Sequence, residues 1–282
     1  MIVEGAVSAC LVAGADKAAS GMGCGDCMLL CFPARFFAVA DGSERFPSAG
    51  RELLQNMAQS LCGVPVPESA EEWLDLVNRA YARQPYHKTA AFTGAAFCEI
   101  QGRPHAVIVH GGDCPALIAD EKTGEVLFST AADMNFAGRS ERATGAVALP
   151  LSSGRERVVL ASDGLSDVAR LAGLALSGLC GAAAGFAVES VPRKLSRFLA
   201  KNAGGVRHDD VAVMVIAAQK LSSGPPLSLL LGGTTSYAEA DFMAAGLPDR
   251  WEEVQPEAMS RELILAGFSH AIPHCQNLHS VA

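Results

Sequence analysis

The segment Val158–Val168 reads VVLASDGLSDV: an apolar, β-rich run that stops at Ser162 and gives way to Asp163 and Gly164. The same device closes Phe36–Gly42, FFAVADG, where Asp41 and Gly42 follow the run. A third run, His105–Asp113 (HAVIVHGGD), ends in Asp113 behind two glycines, and a fourth begins directly after Asp209 and Asp210 in DDVAVMVIA. Each run is short and bounded by Gly, Asp or Pro, which is the pattern of strands rather than helices. If these strand ends share one rim of a sheet structure, four or more carboxylates converge there.

Such a cluster cannot stand unpaired. Two like charges about 4 Å apart repel by about 4 kcal/mol at a surface-like dielectric, so the group either shifts its proton affinities or takes up cations. A donor set of oxygens, without His or Cys, suits hard divalent ions, Mg²⁺ or Mn²⁺. The glycine after each aspartate permits a sharp turn and leaves a carbonyl able to serve as a further ligand. Asp-Gly is also an ordinary turn signal, but two matched copies and two further strand-end aspartates favour a metal site.

The bulk composition narrows the function classes. The chain has 282 residues, half of them apolar and 18% charged, as a compact globular protein has. Its net charge of −8, without a run of Lys or Arg, speaks against nucleic acid and membrane surfaces as partners. The N-terminus carries Glu4 where an export signal would be positive and reads as a first strand, and no apolar segment approaches the roughly 18 residues of a membrane span. The expected location is therefore the cytoplasm. In a reducing compartment the nine cysteines are most simply small buried hydrophobes.

Helices fall between the strand runs. One is expected over Pro47–Cys62, and a second after Ser69, where Ser69 and Glu72 make an S-x-x-E capping box ahead of Trp73, Val77, Ala80 and Tyr81. A third is expected from Ser190 through Phe198 to Gly204. Paired helices between hairpin-like strand runs imply antiparallel sheets with helices on their outer faces. After about Ala218 the breaker cluster LSSGPP intervenes, so residues 1–220 are read as the domain and 221–282 as a C-terminal appendage, with a helix over Pro256–Ala266.

Taken in order and at these separations, RFFAVADG, HGGDCPALI, VVLASDGLSDV and RHDDVAVMVI resemble the metal-dependent protein Ser/Thr phosphatases of type 2C, the PPM family, in its bacterial branch that acts on sporulation and sigma-factor regulators. Gly25-Asp26 stands before Asp41 as a Gly-Asp does in that family. The resemblance covers about residues 20–217. It implies an α+β fold, a four-layer α-β-β-α sandwich of two antiparallel sheets flanked by helices. It further implies that Asp41 bridges two Mn²⁺ or Mg²⁺ ions with Gly42 lending its carbonyl, that Asp163 and Asp209 complete the second ion, that Asp113 with Asp163 offers a looser third site, and that Asp26 acts in the outer shell. Asp133, in TAADMNF, is placed near the site. The implied substrate is a phosphorylated Ser/Thr protein.

The chain departs from the family at three places. Ser43-Glu44-Arg45 follows the first Asp-Gly where Met-Gly-Gly or His-Gly-Gly is common, no N-terminal phosphate-binding arginine stands out beyond guesses at Lys17 and Arg35, and the stretch from Asp133 to Arg155 is short. The reaction such a site runs is phosphomonoester hydrolysis by an activated water, with no covalent enzyme intermediate. Two other readings are weighed. One is a catalytically weak or inactive 2C-like regulatory module that binds a phosphoprotein. The other is a thiol or zinc protein built on Cys24, Cys27 and Cys31, but no second CxxC exists; His270, His274, Cys275 and His279 in the tail have a suggestive spacing.

Overall fold

The computed structural model describes residues 2–4, 6–12, 14, 24–61, 64–186, 188–191, 194, 197–198, 209–221 and 228–233. Among these residues twelve strands build two six-stranded sheets. They are β1 (Ile2–Glu4), β2 (Val7–Val12), β3 (Asp26–Cys31), β4 (Phe36–Gly42), β5 (Ala90–Ile100), β6 (Arg103–Gly111), β7 (Ala116–Asp120), β8 (Val126–Ser129), β9 (Gly145–Pro150), β10 (Glu156–Ala161), β11 (Val211–Ala217) and β12 (Ser228–Gly232). The first sheet runs β1-β2-β11-β10-β7-β8 and the second β12-β3-β4-β5-β6-β9, with every neighbouring pair antiparallel. The expected α+β arrangement is present.

Helix α1 (Ala49–Leu61) and helix α2 (Ala70–Arg83) cover the second sheet; α3 (Gly164–Leu171) and α4 (Leu176–Ala184) cover the first. Strand alternation sorts the side chains. Phe36, Ala40 and Phe92 turn toward the helices, where Trp73 of α2 stacks on Phe36 at 4.8 Å between ring centroids. Met28, Val39, Leu160, Met214 and Ile216 fill the space between the sheets, while Val159, Val213 and Val215 pack beneath α3 and α4. The capping box at the start of α2 forms with one variation. Ser69 Oγ accepts from Glu72 N at 3.2 Å, but the Glu72 carboxylate reaches back to the N–H of Glu68 (2.7 Å), one residue before the cap.

The strand reading was incomplete in two places. Gly145–Pro150 (GAVALP) pairs with β6 although its alanines and terminal proline give a weak strand signal. Ser228–Gly232 pairs with β3 from Cys31 to Cys27, so the second sheet extends past residue 220 and that segment is not wholly an appendage. The helix expected from Ser190 falls mostly outside the described residues, which show a 3₁₀ turn at Val188–Ser190. The helix expected at 256–266 and the tail histidines also lie outside them. No single helix among the described residues is long and apolar enough to cross a membrane.

The Trp73–Phe36 stack sits remote from the aspartates, with both rings fully buried. Trp73→Ala is expected to cost about 3–5 kcal/mol of stability, read by urea denaturation followed by circular dichroism.

Candidate active site

The register of the second sheet places Asp26 of β3 directly opposite Asp41 of β4, and both side chains face the first sheet. From the first sheet, Ser162 meets them. Its hydroxyl donates to Asp26 Oδ2 at 2.5 Å and accepts from Ala212 N at 2.9 Å, so one hydroxyl bridges the two sheets. Asp210, which is 1% exposed, does the same with two oxygens: Oδ1 accepts from Gly14 N (2.6 Å) and Oδ2 from Gly25 N (2.7 Å). The Gly25 carbonyl in turn accepts from Gly42 N at 3.0 Å. Gly42, the candidate carbonyl ligand, is therefore two hydrogen bonds from the Asp210 carboxylate.

The approach is close enough to dictate residue type at two points. A Cβ on Gly25 would lie 2.6 Å from the Gly42 oxygen, and one on Gly164 would strike the carbonyl oxygen of Asp210. Both contacts are with backbone, which cannot swing aside.

Electrostatics shows which carboxylates share the rim. Burial, then the neighbouring Asp41 and Asp210 charges, push the Asp26 carboxyl well above its ordinary range; the Ser162 hydrogen bond pulls it back, and Asp163 adds to the rise. Asp163 is pushed up to about 6 by burial and then by Asp113, Asp209 and Asp167. Burial also raises Asp113, with Asp133 adding to it. Asp26, Asp41, Asp113, Asp163 and Asp209 thus form one connected field at the strand ends, with Gly42 in the same turn. Among the described residues no three acidic, His or Cys side chains close on a single point as a finished ligand set. The donors the strand ends offer are carboxylate and carbonyl oxygens, a set that fits a hard divalent ion.

Asp133 is held against this rim: Oδ1 accepts from Gly112 N (3.0 Å) and Asn135 N (2.7 Å), and Oδ2 from Thr144 Oγ1. Burial pushes its carboxyl up, but those hydrogen bonds outweigh it and the net shift is downward. His110 Nε2 stands 3.8 Å from Asp133 Oδ2, and burial lowers the imidazole's proton affinity. Lys17 lies outside the described residues. Arg35 is misplaced as a phosphate ligand. It is exposed in the turn at the far end of the β3–β4 hairpin, about 20 Å from Asp41 at strand rise.

The thiol reading finds no support in the geometry. Cys27 Sγ donates to Ala40 O (3.5 Å) on the helix-facing side, and Cys24 Sγ to Asp26 O (3.6 Å). Burial, then the Asp26 charge, hold the Cys27 thiol well above its usual range, so it stays protonated and inert. A cavity of about 510 Å³ between α3, α4 and β11 is lined by Leu174, Leu179, Phe186 and Val213, with no carboxylate among its described lining residues.

Two facing antiparallel sheets with outer helices and a rim of aspartates define the 2C-type phosphatase architecture. Solved structures agree. PppA, a regulatory component of the type VI secretion system in Pseudomonas aeruginosa, is 16% identical with a TM-score of 0.55, covering 74% of this chain and 96% of that one. The Mycobacterium tuberculosis serine/threonine phosphatase PstP/Ppp is 18% identical with a TM-score of 0.54 over the same shares, and the PstP catalytic domain in complex with two manganese ions is 16% identical at 0.53. At these identities the likeness is one of fold. No curated protein matches the sequence. The family description "Stage II sporulation protein E (SpoIIE)" matches residues 48–219, and the chain belongs to that family of 2C-type Ser/Thr phosphatases.

Because Asp163 is raised in the folded protein, the fold binds a proton there that the unfolded chain releases above its ordinary 3.8. Its contribution to stability therefore falls as pH rises from about 4 to about 6. With divalent ions chelated, Asp163→Asn is expected to gain on the wild type across that window, by on the order of 2 kcal/mol, measured by chemical denaturation at each pH.

Proposed function

We propose that this protein is a metal-dependent protein serine/threonine phosphatase. The observation that supports the reading is that Asp26 lies opposite Asp41 in the β3–β4 register and feels the charge of Asp163, which in turn feels Asp113 and Asp209. Asp41, the Gly42 carbonyl, Asp163 and Asp209 would hold two Mn²⁺ or Mg²⁺ ions; Asp113 with Asp163 would offer a looser third position. Manganese is found with the structurally similar PstP domain. Bound cations would supply Lewis acidity toward the phosphoryl oxygens and acidify water.

The chain's own residues set the stage for that chemistry. Asp26, which accepts from Ser162 Oγ, would orient water from the outer shell. The Asp210–Gly25–Gly42 relay fixes the turn that carries the carbonyl. Closely packed apolar residues below the rim, among them Met28, Val39 and Leu160, keep bulk water out of the base of the site. Phosphoproteins are the substrate class that the family implies.

One observation favours a second reading. Ser43-Glu44-Arg45 after Asp41-Gly42 offers no histidine to protonate a leaving group, as a catalytically weak regulatory module would lack. Hydrolysis of p-nitrophenyl phosphate separates the two. Activity is expected with Mn²⁺, to vanish with chelator and to fall at least about a hundredfold in Asp41→Asn or Asp163→Asn. No turnover with any divalent ion sinks the enzyme reading.

A further inference from the structure

A groove of about 340 Å³ opens beside the Asp41–Gly42 turn, lined by Ser43, Arg45, Phe46, His87 and Arg139 among others. Ser43 follows Gly42 and is tied by its N–H to Thr89 O at 3.0 Å. Ala90, the next residue, pairs with Gly42 on one side and bridges to Ala137 on the other. The two arginines therefore enter from separate loops, Arg45 just past the turn of the candidate site and Arg139 two residues beyond Ala137. The groove's lining starts at Ser43, two residues past Asp41.

The charges in it are unspent. Arg155 pairs with Asp120, Arg157 with Glu121, Arg170 with Asp167 and Lys88 with Glu52. Arg45 and Arg139 instead lie over rings, 5.5 Å from the centroid of Phe46 and 5.9 Å from that of Phe136, and neither pairs with a carboxylate among the described residues. The nearby acids Glu44 and Glu141 do not line the groove. Two planar guanidiniums braced on aromatic faces, in a chain of net charge −8, present their N–H forks to an anion from outside. The floor is held as well. His87 adopts φ 77°, a conformation rare for a residue with a side chain, while its N–H donates to Gly138 O (2.9 Å) and its ring meets Phe46 at 5.3 Å.

We propose that this groove recognises the flank of the phosphoprotein substrate, with Arg45 and Arg139 taking acidic side chains within a few residues of the phosphoserine or phosphothreonine. The assignment rests on the phosphatase reading of the adjacent aspartates and names the substrate class: phosphosites in acidic sequence. Bidentate guanidinium–carboxylate contacts give it both charge and planarity to read.

The test compares two phosphopeptides that differ only in flanking residues, three Glu in one and three Ala in the other, using the full chain with Mn²⁺. The wild type should prefer the acidic peptide at least tenfold in kcat/KM at low salt, and the preference should shrink as salt is added. Arg45→Glu with Arg139→Glu should erase or invert the ratio, and the two Arg→Lys changes should keep part of it, with folding checked by circular dichroism. Equal rates on both peptides in the wild type, or an unchanged ratio in the double variant, overturns the proposal. Failure of the phosphatase reading looks different, since neither peptide nor p-nitrophenyl phosphate is then turned over. Fluorescence anisotropy of the acidic peptide then decides: binding that the double variant loses supports the groove, and absence of binding refutes it.

Discussion

One buried carboxylate holds the working end of this molecule together. Asp210 sits at the start of β11 in the first sheet, yet it accepts hydrogen bonds from Gly14, just past β2 of that sheet, and from Gly25, just ahead of β3 of the other. Charge-assisted bonds of this kind, out of water, are each stronger than a neutral pair. They bring the ends of the 14–25 connection to a single group and fix the level at which the two sheets meet. Ser162 adds a second tie a strand away. The candidate metal residues inherit their positions from these two links, because Asp26 is bonded to one and Gly42 hangs from the other through the Gly25 peptide.

The parts of this that could be read in the sequence were those where a residue's chemistry and its place on a strand coincide. Asp41 and Asp163 end apolar runs and are followed by glycine, and in the fold both charges act on Asp26. The helix over 70–83 was equally open, since Ser69, Glu72 and the spacing of Trp73, Val77 and Ala80 all agree. What escaped were features that depend on distant partners. β9 and β12 are strands because β6 and β3 offer open edges to pair with, not because GAVALP or SLLLG demand it. Helices α3 and α4, both short and α4 rich in Gly and Ala, take their places by covering Val159 and Val213 of the first sheet. Asp210 looked like a companion of Asp209, and only the folded register assigns it a structural task.

The cysteine pair Cys24 and Cys27, two residues apart around Gly25-Asp26, follows the same logic. A spacing motif is a statement about neighbours in the chain, whereas reactivity depends on neighbours in space. Around Cys27 those are close apolar packing and the negative field of Asp26 and Asp41, which together outweigh the opposing charge of Arg51 and disfavour a thiolate. Between the two sulfurs Asp26 turns toward the other sheet, as strand alternation requires. Sulfur fills space on one face and the carboxylate works on the other.

The strand Ser228–Gly232 carries a consequence for the order in which the protein comes into being. It flanks β3, the strand of Asp26, and Gly233 donates to the Asp26 carbonyl at 2.8 Å. That partner is the last described element to leave the ribosome, about two hundred residues after the strand it completes. Until it arrives β3 has an open edge, with apolar Leu29 and Leu30 beside unpaired backbone groups. The site is thus assembled late by construction, and a chain still under synthesis carries its aspartates without the backbone bond that finally seats one of them.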